Sequence, residues 1–198
     1  MSWNHNIHYH GDVLDAIPPH CQRALDVGCG QGLLTRKLAE RSDEVVAIDV
    51  DEECLDLAKA ACGSSSNIAF IKGDVLAEPL AEDSFDFIAA LATLHHLPLR
   101  IGLVRLRNLL RSGGVLAVVG LYRASTPMDY VLAAAALPIS RAIRLFRGEE
   151  KVGAPLRDPT ETLAEIRREC DAVMPGGVFR RRLFFRYTFV WRKHRSEH

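Results

Sequence analysis

The sequence has no apolar run long enough to span a bilayer. The longest, such as VLAAAALPI at 131–139, reach about half of the ~20 residues a membrane helix needs. MSWNHNIHYH places no apolar stretch behind a basic start, which argues against a secretory signal or membrane anchor there and makes a cytoplasmic protein the expectation. The five cysteines, Cys21, Cys29, Cys54, Cys62 and Cys170, are odd in number and form neither a Cys-x-x-Cys pair nor the Cys/His spacing of a zinc site. They are expected as free thiols in a reducing compartment. No internal repeat occurs, and low complexity is confined to the serines at 64–66 and the alanines at 133–136. Net charge is also absent, since 25 Lys and Arg balance 25 Asp and Glu. That balance hides a division: residues 1–99 carry 6 basic and 16 acidic side chains, and residues 100–198 carry 19 and 9, or −10 against +10. Two such halves attract each other within one domain, although a basic half also suits an acidic or nucleic-acid partner.

What is present is an ordinary globular balance, 48% hydrophobic and 25% charged over 198 residues, as expected of a single domain. At this length a chain buries roughly 70% of its unfolded surface without needing staples. The first 122 residues alternate strand-like and helix-like segments. RALDV at 23–27 is a short apolar strand, and LLTRKLAE after it places Leu34, Leu38 and Ala39 at helical spacing. EVVAI at 44–48 ends at Asp49, and EECLDLAKAA continues as a helix with Leu55, Ala58 and Cys62 on one face, stopped by Gly63. IAFIK at 68–72, FDFIAAL at 85–91 and VLAVVGLY at 115–122 read as further strands, with IGLVRLRNLL as a helix before the last. Alternation of this kind predicts an α/β fold, a doubly wound and mostly parallel sheet with helices on both faces.

Residues 124–157 break the rhythm and suggest an inserted helical lid. PTETLAEIRREC restarts a helix, with Asp158 or Thr160 as candidate cap. VFRRRLFFRYTFVWRK closes the chain as two antiparallel strands, with Tyr187, Phe189 and Trp191 alternating against Thr188, Val190 and Arg192.

The decisive stretch is Leu25-Asp26-Val27-Gly28-Cys29-Gly30-Gln31-Gly32. Glycines at a strand-to-helix turn let the backbone approach a ligand, and the helix that follows offers unpaired N–H groups. A dinucleotide fingerprint would want a glycine where Leu33 stands, so the compact G-x-G-x-G form fits a ligand without pyrophosphate. With this loop the chain resembles the class I S-adenosylmethionine-dependent methyltransferases, whose first motif is an acidic residue followed by three alternating glycines. Asp49, 21 residues after Gly28, ends the second strand, where a carboxylate can take both hydroxyls of a ribose. Gly73-Asp74-Val75 follows the third strand. The resemblance implies that Asp74 accepts from the adenine amine and that the next backbone N–H donates to the ring. FDFIAALATLHHL and LRNLLRSGGVLAVVG also look like the family's fourth-strand and fifth-strand segments, with serine for the commoner proline in RSGG. The likeness covers about residues 20–122.

It implies S-adenosylmethionine as cofactor, bound by Asp26, Gly28, Cys29, Gly30, Asp49, Val50, Gly73, Asp74, Val75 and Leu91, on a seven-stranded Rossmann-like sheet whose C-terminal strand is antiparallel. Residues 1–20 would form an N-terminal cap, 20–122 the cofactor core, 124–157 the lid, and 158–195 the final helix and strands. Cys29 has no paired base and reads as packing beside the cofactor. A base is needed only where the acceptor keeps its proton, as a hydroxyl does. His95 and His96 after the fourth strand and Tyr9 in the N-terminal cap are the leading candidates, with His5, His8 and His10 of the same cap beside them. His5, His8 and His10 lack a carboxylate at ligand spacing, so no metal is expected. In the lid, Met128, Tyr130, Leu137, Ile139, Leu145 and Phe146 offer apolar wall, and Arg141, Arg144 and Arg147 offer charge. The tail interleaves Arg180, Arg181, Arg182, Arg186, Arg192, Lys193 and Arg195 with aromatics, which suits either an edge strand or RNA. The expected reaction is methyl transfer to oxygen, nitrogen or carbon of a small molecule, with no membrane partner. An RNA or protein methyltransferase and a cofactor-binding module without transfer are the alternatives.

Overall fold

The computed structural model describes residues 9–63, 65–127, 129–130, 158–183 and 185–194. Seven strands, β1 (Arg23–Val27), β2 (Glu44–Asp49), β3 (Ile68–Lys72), β4 (Phe85–Leu91), β5 (Leu110–Leu121), β6 (Val178–Arg182) and β7 (Arg186–Arg192), join in one sheet of order β3-β2-β1-β4-β5-β7-β6. The first five run parallel, and β7 is antiparallel to both β5 and β6. The expected C-terminal pair is therefore present. Only β7 opposes the sheet, and β6 resumes the direction of β5.

Continuous apolar strands arise because both faces are covered. On one face Leu25, Val46, Ile88 and Leu116 pack against Leu103 and Leu106 of α4 (Leu99–Leu109) and Ile166 and Cys170 of α5 (Leu163–Val173). On the other, Ala24, Val45, Phe87 and Val115 meet Val13 of α1 (His10–Leu14) and Leu34 and Leu38 of α2 (Leu33–Ala39). The Leu55 side of α3 (Glu52–Cys62) covers Ala47. That helix is capped by the Asp51 carboxylate, which accepts from the Glu53 and Cys54 N–H groups at 2.9 and 3.3 Å, and its face of Leu55, Ala58 and Cys62 is buried as its spacing predicts.

Two boundaries differ from expectation by more than a residue for a reason the side chains and pairing show. The cap of α5 is Thr162 rather than Asp158 or Thr160. Thr162-x-x-Glu165 has the spacing of a reciprocal box, in which the Glu165 N–H donates to Thr162 Oγ1 at 3.3 Å and the Thr162 N–H donates to Glu165 Oε2 at 2.8 Å. β5 begins at Leu110 rather than 115, because the Arg-Ser-Gly-Gly stretch stays in the sheet through a register shift between Phe85 and Phe87.

The two oppositely charged halves do meet. Arg111 pairs with Asp86 at 3.1 Å, Lys193 with Asp83 at 2.7 Å and Arg182 with Asp12 at 2.7 Å. Tyr187, Phe189 and Trp191 are buried, so these tail aromatics lie in the core rather than on a stacking surface. The expected lid opens on a capped turn: Asp129 accepts from the Thr126 N–H at 2.7 Å and from the Ser125 N–H at 2.9 Å, and it pairs with Arg181. Burial would raise this carboxyl, but those bonds and Arg181 hold it at about 2. Tyr130 is exposed. Met128, Leu137, Ile139, Arg141, Arg144, Leu145, Phe146 and Arg147 lie outside the described residues, as do His5, His8 and Arg195. Among the described residues no helix is long and apolar enough to cross a membrane.

Candidate active site

The loops that leave the carboxyl ends of β1, β2, β3 and β4 surround a cavity of about 420 Å³, where an open α/β sheet places its ligands. Asp26, Gly28, Cys29, Gly30, Asp49, Val50, Gly73, Asp74, Val75 and Leu91 all line it. The chain turns from β1 into α2 through left-handed residues, with φ of 68° at Gly28 and 52° at Gly30. A Cβ at Gly28 would lie 2.3 Å from Thr93 Oγ1, whereas a Cβ at Gly30 would meet nothing within 4 Å. Gly28 thus permits close packing within the protein, and Gly30 leaves space beside the backbone. Thr93 Oγ1 donates to the Val27 carbonyl at 2.8 Å and so bolts the end of β4 to the glycine loop.

Three aspartates shape this wall. Asp26 is 1% exposed and accepts from the Thr35 hydroxyl at 2.6 Å. Burial pushes its carboxyl up to about 6 against the pull of Thr35, and the nearby Asp49 adds to the rise. Asp49 is oriented by backbone, its Oδ2 accepting from the Gly30 N–H at 2.8 Å and its Oδ1 from the Asp51 N–H at 3.0 Å. Each oxygen keeps a lone pair for a hydroxyl donor. Asp74 Oδ1 accepts from the Leu76 N–H at 2.9 Å, which makes Asp74 the pivot of an Asx turn. Arg105 of α4 ties that turn down by donating to the carbonyls of Val75 at 3.1 Å and Glu78 at 2.7 Å. Val50 lines the cavity while 67% exposed, an apolar surface that a flat ring would cover. Burial, with Asp26 and Asp49 adding, holds the Cys29 thiol far above its ordinary range, so it stays neutral.

Open backbone at Gly30, a carboxylate held for two hydroxyls and an uncovered apolar residue beside it fit a nucleoside ligand. A model of the methyltransferase domain matches residues 25–118. An uncharacterized methyltransferase of Mycobacterium tuberculosis is 36% identical over 193 residues, covering 96% of each chain. The chain belongs to the class I S-adenosylmethionine-dependent methyltransferases. The N-methyltransferase NodS of Bradyrhizobium japonicum, solved with S-adenosyl-L-homocysteine, shares the fold at a TM-score of 0.64 and 17% identity, over 94% of this chain and 86% of that one. Trans-aconitate 2-methyltransferase of Deinococcus radiodurans is 38% identical over 110 residues, 54% of this chain and 41% of that one. The cofactor of the methyltransferase is S-adenosylmethionine.

The opposite wall is built differently. His95 and His96, in a 3₁₀ turn after β4, line the cavity with their rings 4.0 Å apart. Tyr9 is not among the described lining residues; its hydroxyl donates to the Leu183 carbonyl at 3.2 Å. Its neighbour His10 does line the cavity, as do Leu121, Asp158 and Arg186. His10 is 3% exposed, with Lys37 Nζ 3.1 Å from its Nδ1. An ammonium only donates, so Nδ1 accepts and the ring proton sits on Nε2. Burial, with Lys37 adding, lowers His10 to about 4 and keeps it neutral. Arg186 is 9% exposed, and burial lowers it to about 10 against the pull of Tyr9, which leaves it cationic at neutral pH.

Sequence reasoning did not select Thr93 or Arg186 for this site, and it weighed His10 only as one of several candidate bases before the first strand. Thr93 stands inside the FDFIAALATLHHL segment that marks the fourth strand, and its side chain could be placed only once the strand end met the glycine loop. Nothing local distinguishes Arg186 from the other basic residues of the tail.

Proposed function

We propose that this methyltransferase moves a methyl group to an oxygen, nitrogen or carbon atom of a small-molecule acceptor held in the same cavity. Gly28, Gly30, Asp49, Gly73, Asp74 and Val75 hold the cofactor in this reading. The observation that carries it is the Asp49 carboxylate, whose two oxygens are aimed by the Gly30 and Asp51 N–H groups at the cavity that Gly30 leaves open.

When bound, S-adenosylmethionine supplies an electrophilic methyl carbon on a positively charged sulfur. The chain's own contribution is position and field. Asp49 fixes the ribose end, Asp74 and Val75 fix the base, and the ionised form of Asp26 favours a cationic ligand. Holding acceptor and methyl carbon in line and dry removes roughly 7–11 kcal/mol of such a barrier. His95 and His96 stand on the wall where an acceptor hydroxyl would give up its proton, and either ring takes it there. A thiolate or free amine would need neither. The size of the cavity and the burial of the tail aromatics support a small acceptor over RNA or protein. So does the trans-aconitate methyltransferase that matches over part of its length.

Calorimetric titration with S-adenosylmethionine, S-adenosylhomocysteine and NAD tests the site, with Asp74→Ala as control. Binding of both sulfur ligands, weakened in the variant and absent for NAD, is the expected result. Equal binding of NAD, or full affinity in Asp74→Ala, overturns the assignment.

A further inference from the structure

We infer that the methyl acceptor is a carboxylic acid whose carboxylate is gripped by Arg186, with the His10 Nε2–H as a second donor. The inference rests on the methyltransferase reading above and specifies the acceptor for that same cavity.

Three features of the wall lead there. The first is where the cation lies. β7 runs against the sheet, so its first residue, Arg186, sits opposite Leu121 at the edge where the parallel strands end. Arg186 is nine-tenths buried, and it is the only Lys or Arg among the described lining residues. A guanidinium kept at a ligand cavity away from bulk water attracts an anion far more strongly than one on the surface.

The second is the partner donor. His10 reaches the cavity from α1, 176 positions earlier in the chain, and Lys37 occupies its Nδ1. The imidazole is therefore held in the tautomer that donates from Nε2. Arginine offers a planar fork, and a neutral N–H adds a third donor without a second positive charge.

The third is shape and charge together. The two coplanar oxygens of a carboxylate match the planar fork of Arg186, whereas a phosphate dianion would bring a second negative charge into a cavity already lined by Asp26, Asp49, Asp51, Asp74 and the exposed Asp158. Leu121, Leu91 and Leu97 line the cavity as well and suit an apolar body behind the acid group.

The test uses the full chain saturated with S-adenosylhomocysteine and compares benzoate and hexanoate with benzamide and hexanamide, and with inorganic phosphate. The acids are expected to bind at least about tenfold more tightly than their amides, the scale of a charge-assisted hydrogen bond. Phosphate should bind more weakly than either acid. In Arg186→Gln the acids should lose about tenfold or more in affinity, with S-adenosylhomocysteine affinity unchanged within about twofold. Acids and amides binding alike, no acid binding at all, phosphate binding best, or Arg186→Gln keeping the preference for acids would each overturn the inference. The acid-to-amide comparison needs only the wild-type chain and decides the matter even if the variant does not fold. The S-adenosylhomocysteine titration that precedes it reports separately on the methyltransferase reading.

Discussion

The two walls of the cavity are made by different means. The wall proposed for the cofactor is assembled from strand ends and loops between residues 26 and 75, with Leu91 added from β4, and its polar groups are aimed by nearby backbone: Gly30 and Asp51 N–H groups on Asp49, and the Leu76 N–H on Asp74. The opposite wall draws His10 from the first short helix, His95 and His96 from the end of β4 and Arg186 from β7, and its neighbour Tyr9 is anchored on a carbonyl 174 positions away. One wall carries carboxylates and backbone donors. The other carries imidazoles and a guanidinium, with the exposed Asp158 as its one carboxylate among the described residues. The first is set by local chain geometry and so accepts few side chains, whereas the second depends on how distant elements dock and so is free to vary with the acceptor.

The sharpest way to break this contrast is at the most local point. Gly28→Ala places a Cβ 2.3 Å from Thr93 Oγ1 at a φ of 68°. We expect it to lower stability by about 2–4 kcal/mol, from overpacking and the left-handed penalty together, and to abolish tight S-adenosylhomocysteine binding. Chemical denaturation and calorimetry measure the two effects. Near wild-type values in both would mean that the loop is not rigid. Asp49→Asn is the next largest. An amide presents one acceptor where the carboxylate presents two, so either Gly30 or Asp51 loses its partner and a ligand hydroxyl loses a charged one. Cofactor affinity should fall by about 1.5–3 kcal/mol, or roughly ten- to a hundredfold, with turnover at saturation nearly preserved.

This division also explains what could be read from the chain before its structure. The bounds of β1 and β3 followed from short apolar runs beside turn residues, and the ten residues that line one cavity were implied by the resemblance that the glycine loop and the aspartates at strand ends carry. Those signals are local, because a left-handed turn and a strand end are written in a few consecutive residues. Arg186 carried no such signal. Its position depends on β7 entering the sheet between β5 and β6 in the opposite direction, which brings the start of that strand to the edge where the others finish. His10 was indistinguishable from His5 and His8 in sequence; burial beside Lys37 separates it in the fold. The cap of α5 was missed by two residues for a different reason: Asp158 and Thr160 were weighed as single caps, whereas Thr162 is selected by its reciprocal box with Glu165 three residues on.

A third test asks what the cofactor wall costs the fold. Asp26 has its carboxyl raised to about 6 by burial, so folding favours its protonated form. The associated stability is complete below the unfolded value near 4 and is lost as pH rises through about 6. Asp26→Asn removes the charge and keeps an acceptor for Thr35. It should therefore stabilise the protein at pH 7–8 by about 1–3 kcal/mol and leave stability below pH 4 nearly unchanged. Binding should move the opposite way. The ionised carboxylate favours a sulfonium ligand, so wild-type affinity for S-adenosylmethionine should rise between about pH 5 and 7, and the variant should show a flat profile. A variant no more stable than wild type at pH 8 would mean that the buried carboxylate is well compensated.

The smallest expected effect lies beside the opposite wall. The Tyr9 hydroxyl donates to the Leu183 carbonyl at 3.2 Å, and Leu183 immediately follows β6. That bond pins the N-terminal helix to the tail and thereby holds His10 next to the cavity, so Tyr9 acts by position. Tyr9→Phe should cost about 0.5–1.5 kcal/mol of stability, the net worth of one such hydrogen bond. It should raise the KM for the acceptor slightly and leave both kcat and its pH profile in place. A tenfold drop in kcat with normal stability would instead put the Tyr9 hydroxyl in contact with the reacting atoms. That result would make the second wall contribute a proton as well as a grip, and would narrow the contrast between the two walls to the source of their hydrogen bonds.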